Sequence, residues 1–225
     1  MTTITAILLA GGTGSRMNSE TPKQFLSLNR IPVARYSFDV LAAVPEIKEI
    51  VVVCHPDYQH LFALSNSAIK LTFALPGKER QDSVYNGLMA ASIQPDFICI
   101  HDSARPFINK NLVEDVINAA KTHGAATTAT PIKFTIKEAN DNGFVTRTPD
   151  RSLYWEVQTP QVIRSDLLQR GFVNAHHHHL SVTDDVSLVE HLGLPVQLVK
   201  GSYFNLKITT PEDLHIAEAF ISLQK

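Results

Sequence analysis

Cysteine is scarce, with two in 225 residues. Cys54 closes the apolar run IVVVC and Cys99 sits inside FICI, which reads as two buried thiols and excludes a disulfide framework. A reducing compartment, the cytoplasm, is the expectation. An excess of either charge is missing too: 20 Lys+Arg oppose 22 Asp+Glu, a formal net charge of −2. That balance excludes a broadly basic nucleic-acid binder and leaves room for a local anion pocket. The apolar run at residues 4–10 is too short for a bilayer, has no basic residue before it and leads straight into glycines. Neither a signal peptide nor a membrane anchor is expected. The 10 glycines and 12 prolines follow no period, which excludes collagen-like and low-complexity chains. Zinc-type Cys/His spacing, a Gly-x-Ser-x-Gly nucleophile and internal repeats are lacking, so no protein-held metal is expected.

What is present is an alternation. Strand-like runs lie at 5–9, 50–54, 71–75, 97–101, 126–130 and 196–199, several apolar throughout, as strands covered on both faces are. Helical patterns fall between them, at 81–91 and at 112–121. The second places Leu112, Val113, Val116, Ile117 and Ala120 on one face, with Gly124 past its end. A last helix starts at Thr210-Pro211-Glu212-Asp213, with Thr as the cap and Pro in the first turn. This rhythm predicts an α/β fold with right-handed crossovers and an open, mostly parallel wound sheet. Ligands of such sheets bind beyond the C-terminal strand ends. Residues 1–225 read as one domain, with a β-hairpin arm inserted at about 132–154. There KFTIKE and GFVTRT flank Asn140-Asp141-Asn142-Gly143, where Asn-Gly is a hairpin signal because both residues accept positive φ. An isolated hairpin is unstable, so the arm should pack on something, such as another subunit.

Three clusters carry chemistry. Ala10, Gly11, Gly12 and Gly14 follow the first strand, with Arg16 and Lys23 close behind. The glycines let backbone approach an anion, and two cations beside them suit a triphosphate. The spacing is neither the dinucleotide fingerprint nor a Walker A loop, and a plain βα turn with surface cations is the competing reading. The second cluster is Pro76-Gly77-Lys78-Glu79-Arg80-Gln81-Asp82-Ser83. Gly77 permits close approach and Ser83 offers a hydroxyl to a base edge; against this stands ordinary capping by Asp82 or Ser83. The third, His101-Asp102-Ser103-Ala104-Arg105, leaves the fourth strand. An acid at a strand end contacts metal or sugar and Arg105 suits a phosphate, or else Asp102 and Arg105 form an ion pair bracing the loop. His101 reads as a packed core histidine. Four later residues stand on weaker ground: Thr135 and Arg151 flanking the hairpin, Thr159 in Gln158-Thr159-Pro160-Gln161, and Thr183, which also reads as a helix cap. Lys207 in NLKIT reads equally as a surface strand residue. His176, His177, His178 and His179 read as a solvated loop, since four consecutive histidines cannot share a face.

Taken in order, AGGTGSRM, PKQF, PGKERQDSVYNGL, HDSARP, TIKE, WEVQTPQ, VTDDVSLVE and LKITTPEDL resemble the 2-C-methyl-D-erythritol 4-phosphate cytidylyltransferases of non-mevalonate isoprenoid synthesis. The match runs from near residue 6 to near residue 216, and PGKERQDSVY follows chlamydial and plant plastid wording. Ribitol-5-phosphate cytidylyltransferases share several of these motifs and are the alternative; a CTP-binding module without chemistry is a further one. The resemblance implies a nucleotidyltransferase, Rossmann-like fold with CTP across the strand ends. CTP would contact Ala10, Gly11, Gly12 and Gly14, with Arg16 and Lys23 at its phosphates and Gly77 and Ser83 at cytosine. Asp102, Ser103 and Arg105 would lie near the ribose and the second substrate, and Thr159, Thr183 and Lys207 around the reacting phosphates. Mg²⁺ would ride on the CTP phosphates. The arm would cross a homodimer and bring Thr135 and Arg151 to the partner's polyol-phosphate site. Phe134 departs from the small or acidic residue common before that Thr.

Overall fold

A computed structural model of the chain describes residues 2–12, 17, 21–64 and 68–223. The elements begin with β1 (Ile4–Leu9), the short β2 (Ser27–Leu28) and β3 (Ile31–Pro32), α1 (Val33–Ala42), β4 (Ile47–Val53) and β5 (Lys70–Ala74). Next come α2 (Arg80–Ala90), β6 (Phe97–Asp102), α3 (Lys110–His123), β7 (Ala125–Pro131), β8 (Glu138–Ala139) and β9 (Val145–Arg147). The last third holds β10 (Trp155–Arg164), α4 (Ser165–His178), α5 (Ser187–Glu190), β11 (Gln197–Lys200) and α6 (Pro211–Leu223).

The expected α/β class is borne out. Seven strands form one open sheet in the order β11-β7-β10-β6-β1-β4-β5. Every expected strand appears, and the pairs β1–β4, β1–β6, β4–β5 and β7–β11 are parallel. The exception is β10, which lies antiparallel between β6 and β7. Its sequence does not read as a strand, because Pro160 interrupts it and the register to β7 jumps between Val157 and Gln161.

Strand alternation builds the two faces. Ala6, Leu8, Ile50, Val52 and Cys99 point to one side, where Phe38 and Leu41 of α1 and Val113, Val116 and Ile117 of α3 cover them. Ile7, Val51, Val53, Ile98 and Ile100 point to the other, under Val84 of α2, Leu168 and Phe172 of α4 and Leu188 of α5. A smaller cluster ties Leu28 and Val33 to Ile208 and to Ala217 of α6. Cys54 and Cys99 are both buried and free, and burial pushes their thiols up to about 11 and about 12.

Helix ends follow local chemistry. Asn109 Oδ1 accepts the Leu112 N–H at 2.9 Å and caps α3, and Gly124 ends it at φ 87°. At α6 the Asp213 carboxylate takes the N–H groups of Thr209 and Thr210, so an acid of the first turn helps to close that end. The histidine run corrects its reading as a loop. His176, His177 and His178 form the last turn of α4, and His179 caps it in the left-handed conformation at φ 52°. All four are solvent-exposed, and a helix C-terminus favours such side chains.

The arm leaves the body after β7. Asn140 Oδ1 accepts the N–H groups of Asn142 and Phe144, and Gly143 alone in the turn has positive φ, at 80°. The turn is therefore a three-residue loop with glycine in the left-handed position, not a turn with two positive φ values. Its apolar side chains face outward, with Phe134 82% and Leu153 78% exposed. Among the described residues no helix is long and apolar enough to cross a membrane.

Candidate active site

The loops after β1, β5 and β6 converge beyond the C-terminal edge of the sheet and enclose a cavity of about 340 Å³. Gly11, Gly12, Lys23, Gly77, Ser83, Asp102, Ser103 and Lys207 line it. Gln24 shapes the first loop from below: it is buried, and its Nε2 donates to the Ala10 and Gly12 carbonyls at 2.8 and 2.9 Å. The Ala10 N–H is spent on the Val53 carbonyl, so Ala10 supports the loop with its own backbone already paired. Gly11 is required by packing, since a Cβ there would lie 2.5 Å from Pro76. Gly14 and Arg16 lie outside the described residues.

The second loop is stiffened by its own polar groups. Gly77 N–H donates to Ser83 Oγ at 3.0 Å, and that hydroxyl donates to the Glu79 carbonyl at 3.1 Å. A Cβ at Gly77 would come within 2.2 Å of Asp82. Glu79, not Asp82 or Ser83, is the cap of α2; Asp82 reaches back to the Glu79 N–H at 2.9 Å and completes a capping box. Helix α2 therefore begins at Arg80, whose side chain projects into the site.

Arg80 is the residue that sequence reading missed. Its Nε donates to Asp102 Oδ1 at 3.0 Å, and its two terminal nitrogens hold both oxygens of the buried Asp185 at 2.8 Å. Lys207 Nζ sits 2.6 Å from the other Asp102 oxygen. This corrects two readings. Asp102 is paired with Arg80 and Lys207 rather than with Arg105, and Lys207 lies in the loop before α6 rather than on a strand. Burial works against ionising Asp102, but Arg80 and Lys207 outweigh it and hold the carboxyl well below the usual carboxylate range. Arg80 likewise overcomes burial through Asp185 and Asp102 and stays above the ordinary arginine value.

A second cavity of about 300 Å³ adjoins the first and is lined by Arg105, Gln158, Thr159, Thr183 and Asp184. Arg80, Asp102 and Lys207 line both cavities. Arg105 gives one nitrogen to the Asn205 carbonyl at 2.7 Å, while its Nε is buried with no partner. Burial pushes this guanidinium below its ordinary value, which leaves a cation short of partners beside the cavity. Thr183 does not cap a helix; Asp184 accepts the Ser187 N–H at 3.1 Å and starts α5. Ser103 spends its hydroxyl on the Leu9 carbonyl at 2.7 Å, bracing the first loop against the third. Thr135 and Arg151 are exposed on the arm and line neither cavity; Arg151 donates to the Lys133 carbonyl at 2.8 Å.

A wound sheet with a glycine-walled, cation-lined cleft beyond its central strands defines an α/β protein built to bind a phosphorylated ligand such as a nucleotide. The model of the IspD family, 2-C-methyl-D-erythritol 4-phosphate cytidylyltransferase, matches residues 4–223. The chloroplastic enzyme of that name from Oryza sativa subsp. japonica is 48% identical over 221 residues, covering 97% of this chain and 74% of its own length. The Chlamydia pneumoniae enzyme is 40% identical over 215 residues, covering 96% and 97%. A crystal structure of 4-diphosphocytidyl-2C-methyl-D-erythritol synthase from Anaerococcus prevotii superposes with a TM-score of 0.87 at 30% identity, covering 98% and 99%. The chain belongs to the 2-C-methyl-D-erythritol 4-phosphate cytidylyltransferase family, as the order of its motifs implied. Neither alternative, the ribitol-phosphate enzyme nor the module without chemistry, is favoured by these relatives.

Proposed function

We propose that the larger polar cleft takes CTP, that the adjoining cavity takes 2-C-methyl-D-erythritol 4-phosphate, and that their phosphates meet at Lys207, Asp102 and Arg80. The carrying observation is that these three side chains line both cavities. The phosphate monoester, with a second pKa of about 6, is largely ionised at neutral pH and needs no general base. One of its oxygens attacks the α-phosphorus of CTP in line, and pyrophosphate leaves. The product is 4-diphosphocytidyl-2-C-methyl-D-erythritol. The obstacle is repulsion between two polyanions. Lys23 and Lys207, with Arg16 from the first loop, offset it and stabilise charge developing on the transferring phosphoryl group. Asp102 holds Lys207 in place, and Arg80 holds Asp102. Arg105 offers its desolvated guanidinium to the second substrate. Ser83 and Gly77 wall the base end of the cleft.

Magnesium belongs to this reading as part of the nucleotide substrate. Asp102 already has a cation on each oxygen, which suits an ion carried by the CTP phosphates rather than by the protein. When bound it neutralises triphosphate charge. The whole chain acts as one nucleotidyltransferase domain, and its two reduced, buried cysteines agree with a cytoplasmic setting. The outward-facing arm supports a homodimer in which Thr135 and Arg151 serve the partner's polyol site.

The test is pyrophosphate release from CTP and Mg²⁺ with 2-C-methyl-D-erythritol 4-phosphate or ribitol 5-phosphate. Release with the branched polyol alone is expected; release with ribitol phosphate alone overturns the substrate assignment. For the arm, inactive Arg151→Ala and Lys207→Ala variants are unfolded together and refolded. Random pairing gives about a quarter of wild-type activity if the arm acts in trans, and none if it acts in cis.

A further inference from the structure

Ten histidines occur in the chain, and nine of them are exposed. The tenth, His101, is fully buried at the end of β6, one residue before Asp102. Its two ring nitrogens face two different groups. Nε2 lies 3.1 Å from the Arg105 carbonyl oxygen, and Nδ1 lies 2.9 Å from Thr159 Oγ1. Burial pushes the ring down to about 4, so it is neutral at neutral pH and carries one N–H. A carbonyl can only accept, so that N–H is on Nε2. Nδ1 is then a bare lone pair, and the Thr159 hydroxyl must donate to it. Thr159 Oγ1 also accepts the Asp102 N–H at 3.1 Å. Its proton is committed and one lone pair is filled. What the hydroxyl has left for a ligand in the second cavity, which Thr159 lines, is a lone pair and no proton.

A phosphate dianion has no proton to give such a group; a hydroxyl has one. We propose that His101 is a positioning residue that makes Thr159 an acceptor-only contact, and that this contact takes a hydroxyl of the polyol rather than its phosphate. The inference rests on the reading above that the second cavity takes the polyol phosphate, and it moves Thr159 away from the reacting phosphates. The same imidazole sets the Arg105 backbone, so one buried ring fixes the polar contact and the start of the cation beside it.

Steady-state kinetics on purified protein test this, with KM read separately for both substrates. Thr159→Val is expected to raise KM for the polyol phosphate about tenfold with KM for CTP unchanged. His101→Gln keeps a donor near the Arg105 carbonyl and lacks the Nδ1 acceptor, and the same rise is expected. The double variant is expected to be no worse than Thr159→Val alone, because His101 acts through Thr159. His101→Asn, whose amide oxygen can stand where Nδ1 was, is expected to recover most of the loss. Inorganic phosphate, used as a competitor, is expected to bind the wild type and Thr159→Val equally.

A wild-type polyol KM in Thr159→Val overturns both the cavity assignment and this inference. A raised KM there with a wild-type KM in His101→Gln overturns the inference alone, as does weaker phosphate competition in Thr159→Val. Should the histidine variants fail to fold, the wild type still decides. In a spectrum of ¹⁵N-histidine-labelled protein, the one imidazole N–H protected from exchange is expected at Nε2, and protection at Nδ1 overturns the proposal.

Discussion

At the scale of single residues, the site is a contest between desolvation and pairing. Asp102 is 7% exposed, and removing its charge partners one at a time leaves different debts. Lys207→Ala leaves Asp102 still held by Arg80, so the fold should survive while the transition state loses a cation. Lys207→Ala and Lys23→Ala are each expected to lower kcat by about 10²–10³-fold, with thermal unfolding nearly unchanged. Pyrophosphate release and a calorimetric scan check this, and near-wild-type turnover in either variant removes that lysine from the mechanism. Asp102 also makes stability depend on pH. Its folded pKa lies below the unfolded value of about 3.9, so its contribution is complete above that value and is lost as pH falls toward the folded one. Urea unfolding should show wild type ahead of Asp102→Asn by about 3–5 kcal/mol at pH 7, with the gap closing only below about pH 4. A gap that closes near pH 6 would point to another group. Asp102 and Gly77 were legible because loops at strand ends are where such sheets bind ligands, whereas Lys207, which reads locally as a strand residue, was marked only by the family resemblance of LKITTPEDL. Arg80 was not, because its meaning comes from Asp185, 105 residues away, and no local pattern announces a pair that distant. Separation along the chain also hid the true partners of Asp102, which lie 22 and 105 residues away, and Arg105, three residues on, was the near-neighbour guess.

Among the elements, those buried on both faces were the easiest to read. Strands β1, β4 and β6 are nearly continuous apolar runs, and α3 carries its stripe and its glycine stop in plain view. Helix α1 was missed: it follows Pro32 with no capping side chain and no acid in its first turn, so neither start signal is present. Helix α4 was missed because its last turn is written in histidines. The loop before α2 shows how an element sets a site. Gly77 tucks against Asp82 and Ser83 so closely that an added methyl must displace the loop or the first turn of the helix. Gly77→Ala is expected to raise KM for CTP about tenfold while KM for the polyol phosphate changes less, since the second cavity does not include residue 77. An equal rise in both would mean that the loop acts on Arg80 instead of on the nucleotide. Behind the site, buried Glu49 binds β4 to its neighbours: it accepts the Thr72 hydroxyl at 2.7 Å, the Thr5 hydroxyl at 3.3 Å and the Ser92 N–H at 3.1 Å. Glu49→Ala leaves these donors unmet and is expected to cost about 3 kcal/mol or more in urea unfolding, with KM values unchanged.

For the whole molecule, the arm is the feature that a single chain leaves unfinished. Phe134, Phe144 and Leu153 stand more than two-thirds exposed on it, beyond what a lone hairpin gains by leaving them in water. Phe134→Asp with Leu153→Asp is expected to shift sedimentation equilibrium from dimer to monomer and to lower turnover, the sheet remaining intact by circular dichroism. Wild-type protein that sediments as a monomer would remove the arm's role in trans. The hairpin itself was legible from Asn-Gly, and its outward direction from its place in a wound sheet. The antiparallel course of β10 was not legible, and it has a consequence for how the molecule is made. β6 and β7 are not neighbours; β10, synthesised after both, fills the gap between them. A chain still on the ribosome that has reached Pro131 therefore holds two strands with bare edges facing an empty place. Until Arg164 has emerged, the growing polypeptide is open to the wrong partners.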